Sequence, residues 1–248
     1  MSYGNPYFDV LDQASLKKPE LNQGEDVLSR FKYAICSLPV ILLPQLATAQ
    51  YIDGINEQVL SKVESKYGNS ARGRVADWKK LMDRNANPQN AVSESKKLKS
   101  SNSFFNKVRW VSDQRHWGRE DYWATPIEML GTNGGDCEDY SIAKYFTLKD
   151  THVSTGKLRI TYVKAIEYNQ AHMVLAYYET PDAEPLIMDN INLRILPASK
   201  RNDLLPVYSF NGENLWLAKA RGKKLKASSQ KSLPQWRKLN EKLLAEVM

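Results

Sequence analysis

Cysteine and histidine are scarce in this chain, whose 248 residues include two of the first and three of the second. Two cysteines cannot build a disulfide-stapled scaffold. Long apolar runs are missing too. The longest, Tyr33 to Leu46, is about 14 residues interrupted by Pro39 and Pro44, short of the roughly 20 that a membrane-spanning helix needs. There is no internal repeat, no long linker and no EF-hand loop. The net charge of +7 raises a nucleic-acid reading, with Lys96-Lys97-Leu98-Lys99 and Arg221-Gly222-Lys223-Lys224-Leu225-Lys226 as the densest basic runs. Neither run sits in a recognisable nucleic-acid motif, so both are taken as solvated faces and no nucleic-acid partner is expected.

What is present divides the chain near residue 49. Arg30 and Lys32 precede the apolar run, and Ala47-Thr48-Ala49 follows it, so a basic flank, an apolar core and a small-residue cleavage site stand in the order of a secretory signal. The expected organisation is a signal peptide over 1–49 and one domain over 50–248, exported and not membrane-spanning after processing. Asp9, Asp12, Glu20, Glu25 and Asp26 fit an n-region poorly, which leaves either a downstream translation start or an extended n-region. Cleavage would remove four basic and five acidic side chains, leaving a mature charge of about +8. It would also remove Cys36, so Cys137 would be the only thiol. Six tryptophans and thirteen tyrosines suit a folded globular domain.

The first half of that domain is helical in pattern. Ile52, Ile55, Val59, Val63 and Tyr67 recur at three- and four-residue spacing over 51–67, closed by Gly68, and Val75, Trp78, Leu81 and Met82 mark a second helix over 71–84. A third helix is expected over 89–110, then an irregular aromatic loop over 115–126. The later period turns toward two. Leu158 to Ala165, His172 to Tyr178 and Glu184 to Ile191 read as neighbouring antiparallel strands, with a short strand at 215–218 and a helix over 234–248. The fold class is α+β, a helical front packed with an antiparallel sheet.

Cys137 sits in Gly134-Gly135-Asp136-Cys137-Glu138-Asp139, ahead of a mostly apolar stretch of helical length. A helix N-terminus favours a thiolate, the nucleophilic form of cysteine. The nucleophile needs a base, and the base an orienting group. His172 and Asp189 lie on strands joined by the short Glu179-Thr180-Pro181-Asp182-Ala183 link, so hairpin pairing brings imidazole and carboxylate to one face. His152 lies in a polar loop, and His116 has no neighbouring strand to supply an acid. Asp136, Glu138 and Asp139 crowd negative charge beside the thiol, which opposes its ionisation unless something offsets it. Helix capping, with Asp136 as N-cap, is a structural reason for the first of them.

The Gly-Gly-Asp-Cys-Glu-Asp segment, with His172 opening a strand and Asp189 seventeen residues on, resembles the bacterial transglutaminase-like cysteine proteinases of the LapG type. That resemblance implies a papain/transglutaminase-like fold, with Cys137 as nucleophile, His172 as base and then acid, and Asp189 as orienting carboxylate. It implies calcium beside the cysteine, with Asp136, Glu138 and Asp139 as ligands. It further implies cleavage of a large surface adhesin near its N-terminus, commonly at an Ala-Ala site, releasing cells from biofilms. The implied inhibitor is an inner-membrane cyclic-di-GMP receptor acting through its periplasmic domain. Two other readings stay open: a transglutaminase or amidase on the same fold, and a non-catalytic binding module in which Cys137 is only a buried apolar residue.

Overall fold

A computed structural model describes residues 51–212, 214–217, 228–229 and 233–248. The expected leader, Cys36 and the basic run at 221–226 lie outside the described residues.

The front is helical because its apolar residues repeat at helical spacing and its ends are capped. Helix α1 (Glu57–Tyr67) starts at Asn56, whose side-chain oxygen accepts the N–H groups of Gln58 and Val59 at 2.9 and 3.1 Å. It stops at Gly68, whose φ of +89° suits a residue without Cβ. Helix α2 (Asn69–Ala86) buries Val75, Trp78, Leu81 and Met82, the four residues its period singles out. Helix α3 (Glu94–Phe105) is shorter at both ends than the 89–110 expected. A 3-10 turn fills Pro88–Asn90, and the chain turns extended as strand β1 (Arg109–Trp110), with Trp110 60 % exposed.

The aromatic segment that follows holds one turn of helix, α4 (Asp113–His116), and leads into α5 (Pro126–Thr132), which the sequence reading missed. Helix α5 opens with a reciprocal cap. Thr125 Oγ1 accepts the N–H of Glu128, and Glu128 accepts that of Thr125, with Pro126 at the first helical position. Strand β2 (Gly134–Gly135) pairs in parallel with β1 and runs straight into α6 (Cys137–Asp150).

Helix α6 is the axis of the domain. Tyr140 and Ala143 face a core shared with α1, α2 and α5, while Ile142, Tyr145, Phe146 and Leu148 face a second core against the sheet. The helix is buried on nearly every side, and its polar residues Glu138, Asp139, Lys144, Thr147 and Asp150 are buried along with the apolar ones. The sheet comprises β3 (Leu158–Ala165), β4 (Gln170–Tyr177), β5 (Leu186–Met188), β6 (Leu196–Pro197), β7 (Leu204–Phe210), β8 (Asn214–Leu217) and β9 (Ser228–Ser229). Its strands are antiparallel in the order β6-β5-β4-β3-β7-β8-β9. Alternation sends Leu158, Ile160, Met173 and Leu175 toward α6, and Val163, Val174 and Ala176 to the opposite face. Helix α7 (Pro234–Val247) closes the second core with Trp236, Leu239 and Leu243. The α+β architecture expected from the sequence is the one observed.

Candidate active site

Three features of the chain converge on Cys137. The parallel β1–β2 pair is extended by the Val111 N–H donating to the Gly135 carbonyl at 2.9 Å, which fixes the approach to the helix. Gly135 is required there, because a Cβ would lie 2.8 Å from the Asp139 carboxylate. Asp139 is fully buried and accepts the N–H groups of Ala124 at 2.7 Å and Asp136 at 3.2 Å, so it locks the aromatic loop to the first turn of α6.

The thiol points inward. It donates to Glu138 Oε2 at 3.1 Å and packs against the core that Met173, the residue after His172, helps to form. Burial pushes the thiol well up, and the Glu138 and Asp136 carboxylates push it further.

His172 and Asp189 are brought together as the hairpin argument requires. Strand β4 pairs with β5 through Leu175↔Met188 and Ala176↔Ile187, and continuing that register sets Asp189 diagonal to His172 on one face. His172 Nε2 lies 2.8 Å from Asp189 Oδ1, and both side chains are buried. This occupies Nε2 and leaves Nδ1 for proton exchange. Asp189 is held far below the usual carboxylate range: burial works against its charge, but His172, the Ile191 N–H and Arg201 outweigh that. His172 is the third residue of its strand, which begins at Gln170 and not at His172 itself.

The pair has supports that the sequence reading did not name. Arg201 Nη2 donates to Asp189 Oδ2 at 2.6 Å. The Asp189 main-chain carbonyl accepts from Asn106 Nδ2 at 2.9 Å and from Lys144 Nζ at 3.1 Å. Lys144, sealed inside α6, is lowered to about 7 by burial, partly countered by Asp189. The other histidines behave as expected for bystanders. His116 bonds Thr132 Oγ1 at 2.8 Å beside the β1–β2 pair, and His152 is exposed in a left-handed turn.

Around the cysteine the acids form a larger group than Asp136, Glu138 and Asp139. Asp113 joins Asp136 and Asp139 in one set, and joins Asp121 and Glu138 in another, with ligand oxygens in each set within 4.8 Å of one another. Asp113 is raised to about 7, first by burial and then by Asp136. Asp136, Glu138 and Asp139 are raised as well, burial again leading. One oxygen each of Asp113 and Asp136 is buried with no hydrogen-bond partner. Hard oxygen donors, mutual repulsion and orphaned oxygens make a donor set that fits a calcium ion. Asp113 opens α4 and Asp121 lies in the segment between α4 and α5, both upstream of the motif; no spacing in the sequence ties them to it.

Residues 74–221 match the family model for bacterial transglutaminase-like cysteine proteinases. Solved structures of Legionella pneumophila LapG are similar over most of the chain. The EGTA-treated form shares 42% identity over 75% of this chain and 96% of its own, with a TM-score of 0.66. The calcium-bound form shares 42% over 75% and 98%, with a TM-score of 0.63. No curated protein matches.

Proposed function

The chain belongs to the bacterial transglutaminase-like cysteine proteinase family, and from that membership we propose that it is a calcium-dependent cysteine endopeptidase with a Cys137-His172-Asp189 triad. Its proposed substrate is a large cell-surface adhesin, cut near the N-terminus so that cells leave a biofilm. The proposed setting is the periplasm, reached through a cleaved signal peptide. An inner-membrane cyclic-di-GMP receptor is proposed to hold it through its periplasmic domain. The observation that carries the reading is the buried His172–Asp189 pair at 2.8 Å, with Cys137 packed against the core that holds the adjoining Met173.

In this reading His172 Nδ1 takes the Cys137 proton as Sγ attacks the scissile carbonyl carbon, and the carbonyl oxygen becomes an oxyanion facing the Cys137 N–H. Asp189 keeps the Nε2 proton in place and balances the imidazolium. The C–N bond then breaks as the imidazolium protonates the departing amine, leaving a thioester on Cys137. Water, deprotonated by His172, attacks that thioester, and its collapse releases the acid and restores the thiol. Asp113, Asp121, Asp136, Glu138 and Asp139 would hold the calcium, which supplies positive charge to offset these carboxylates and lower the cost of ionising the neighbouring thiol.

The test is incubation of candidate adhesin N-terminal fragments with wild type and with Cys137→Ala, with and without EGTA, read by gel and mass spectrometry. New termini with the wild type alone, lost in EGTA, are expected. Cross-links or single-dalton shifts instead would mean acyl transfer or deamidation, and cutting that persists in EGTA would sink the calcium dependence.

A further inference from the structure

A carboxylate orients an imidazole only if its own rotation is fixed, and the last torsion of aspartate is broad and roughly two-fold. At Asp189 the two oxygens are held very differently. Oδ1 accepts from His172 Nε2 at 2.8 Å and from the N–H groups of Asn190 and Ile191 at 2.6 and 3.0 Å. Oδ2 accepts from Arg201 Nη2 at 2.6 Å. Arg201 is 3 % exposed, and its remaining bonds go to Asp203, from Nε at 2.9 and 3.2 Å and from Nη2 at 2.7 Å. One guanidinium nitrogen is thus divided between two carboxylates.

We propose that Arg201 is a positioning residue of this site: it holds the outer oxygen of Asp189, thereby fixing how the carboxylate presents its inner oxygen and its charge to His172, while Asp203 sets how much of the guanidinium Asp189 receives. The backbone supports that placement. The Arg201 N–H donates to the Ala198 carbonyl at 2.9 Å, its own carbonyl takes the Leu204 N–H at 3.1 Å, and the Asp203 carbonyl takes the Ile166 N–H at 2.8 Å. Arg201 and Asp203 are therefore anchored to the β3–β4 turn and the start of β7. Of the other charged or titratable groups, Lys144 of α6 donates to the Asp189 carbonyl, and Glu167 and Tyr168 of the β3–β4 turn line a small cavity with Arg201 and Asp203. Arginine suits the position because its rigid fork can serve two carboxylates at once, which an ammonium on a flexible stem does less well.

The proposal rests on the triad reading above, so its main readout does not use catalysis. In 15N-labelled Cys137→Ala protein, the ring nitrogens of His172 are titrated by NMR, with three histidines in the chain making assignment by single substitution direct. Arg201→Met removes positive charge from Asp189 and is expected to raise the His172 midpoint by about one unit, since a 1.36 kcal/mol change in interaction is one unit. It is also expected to weaken the preference for the Nε2–H tautomer. Asp203→Asn frees the guanidinium for Asp189 and is expected to move the midpoint down. Arg201→Lys should restore most of the Arg201→Met shift.

In the active protein, Arg201→Met should lower kcat roughly tenfold with KM within about twofold, the pattern of lost transition-state stabilisation. A structural role alone would lower thermal stability and leave the His172 midpoint and tautomer in place, and that result overturns the proposal. Should Arg201→Met fail to fold, the opposite shift in Asp203→Asn decides, because Asp203 is 34 % exposed and tolerates replacement better. If the NMR shifts occur and no adhesin fragment is cut, the protease reading fails and the positioning role stands.

Discussion

Asp113→Asn should make the calcium-free protein more stable, although it removes a buried side chain's charge and one of its proposed calcium ligands. Asp113 is 2 % exposed, and its ligand oxygen lies within 4.8 Å of those of Asp136 and Asp139. Two unit charges at that separation repel by about 3.5 kcal/mol at an effective dielectric of about 20. The rise of its carboxyl from 3.8 to about 7 corresponds to about 4 kcal/mol at 1.36 kcal/mol per unit. Relaxation and proton sharing within the cluster reduce both figures, so a gain of about 2 kcal/mol at pH 8 in chelator is the working value.

For a domain of this size that is roughly 5 °C in Tm. Asparagine keeps an oxygen to accept the Tyr122 N–H that Asp113 now accepts, so no hydrogen bond need be lost. The wild type should gain about 2.7 kcal/mol when calcium reaches one hundred times its Kd. The variant should gain little. Differential scanning calorimetry at pH 8, with EGTA and with calcium, measures both quantities in one series. A variant less stable than wild type in EGTA, or one with the wild-type calcium increment, refutes the account of this cluster as a preformed cation cage.

Two further outcomes follow from groups away from the cysteine. Glu246 is raised to about 7, mainly by burial, while Thr125 and Tyr51 hydrogen bonds pull the other way. A carboxyl raised in the folded state costs stability as pH climbs from its unfolded value of about 4.5 through 7, so Glu246→Gln should flatten that decline by about 1–2 kcal/mol between pH 5 and 8 in urea unfolding; parallel pH profiles for variant and wild type would contradict it. Trp78 is fully buried, donates to Thr147 Oγ1 at 2.8 Å and packs against Tyr51 and Phe105. Trp78→Ala should cost about 3–5 kcal/mol, and a loss under 1 kcal/mol would mean that the core between α2 and α6 collapses around the gap.

Much of the candidate site was legible because its residue types are rare and its geometry local. With three histidines and a hairpin joining two of the strands, His172 and Asp189 could be matched by register. Strand β3 was legible to the residue, since Leu158 to Ala165 alternates without a breaker. Strand β7 escaped notice because Pro206 interrupts it; the structure accommodates that proline where the register with β3 shifts between Tyr162 and Val163. Helix α5 carried a readable signal in Thr125-Pro126-Ile127-Glu128, but its seven residues are too few to show a period. Asp113, Asp121 and Arg201 had no such signal. Acids and bases are common in this chain, and only tertiary packing selects which of them meet.

The contact between Tyr51 and Glu246 bears on how the chain can acquire its fold. Tyr51 donates to Glu246 at 2.5 Å across 195 residues, and the nearby Gly54 is so close to Val247 that a Cβ there would lie 2.4 Å from the valine's. A chain that emerges N-terminus first therefore presents Tyr51 and Gly54 long before their partners on α7 exist. Whatever α1, α2 and α5 assemble early stays unlatched until the final helix arrives. Loop closure over so long a segment is slow relative to local helix formation. Synthesis from the N-terminus thus leaves the Tyr51 and Gly54 contacts unmade until α7 is available.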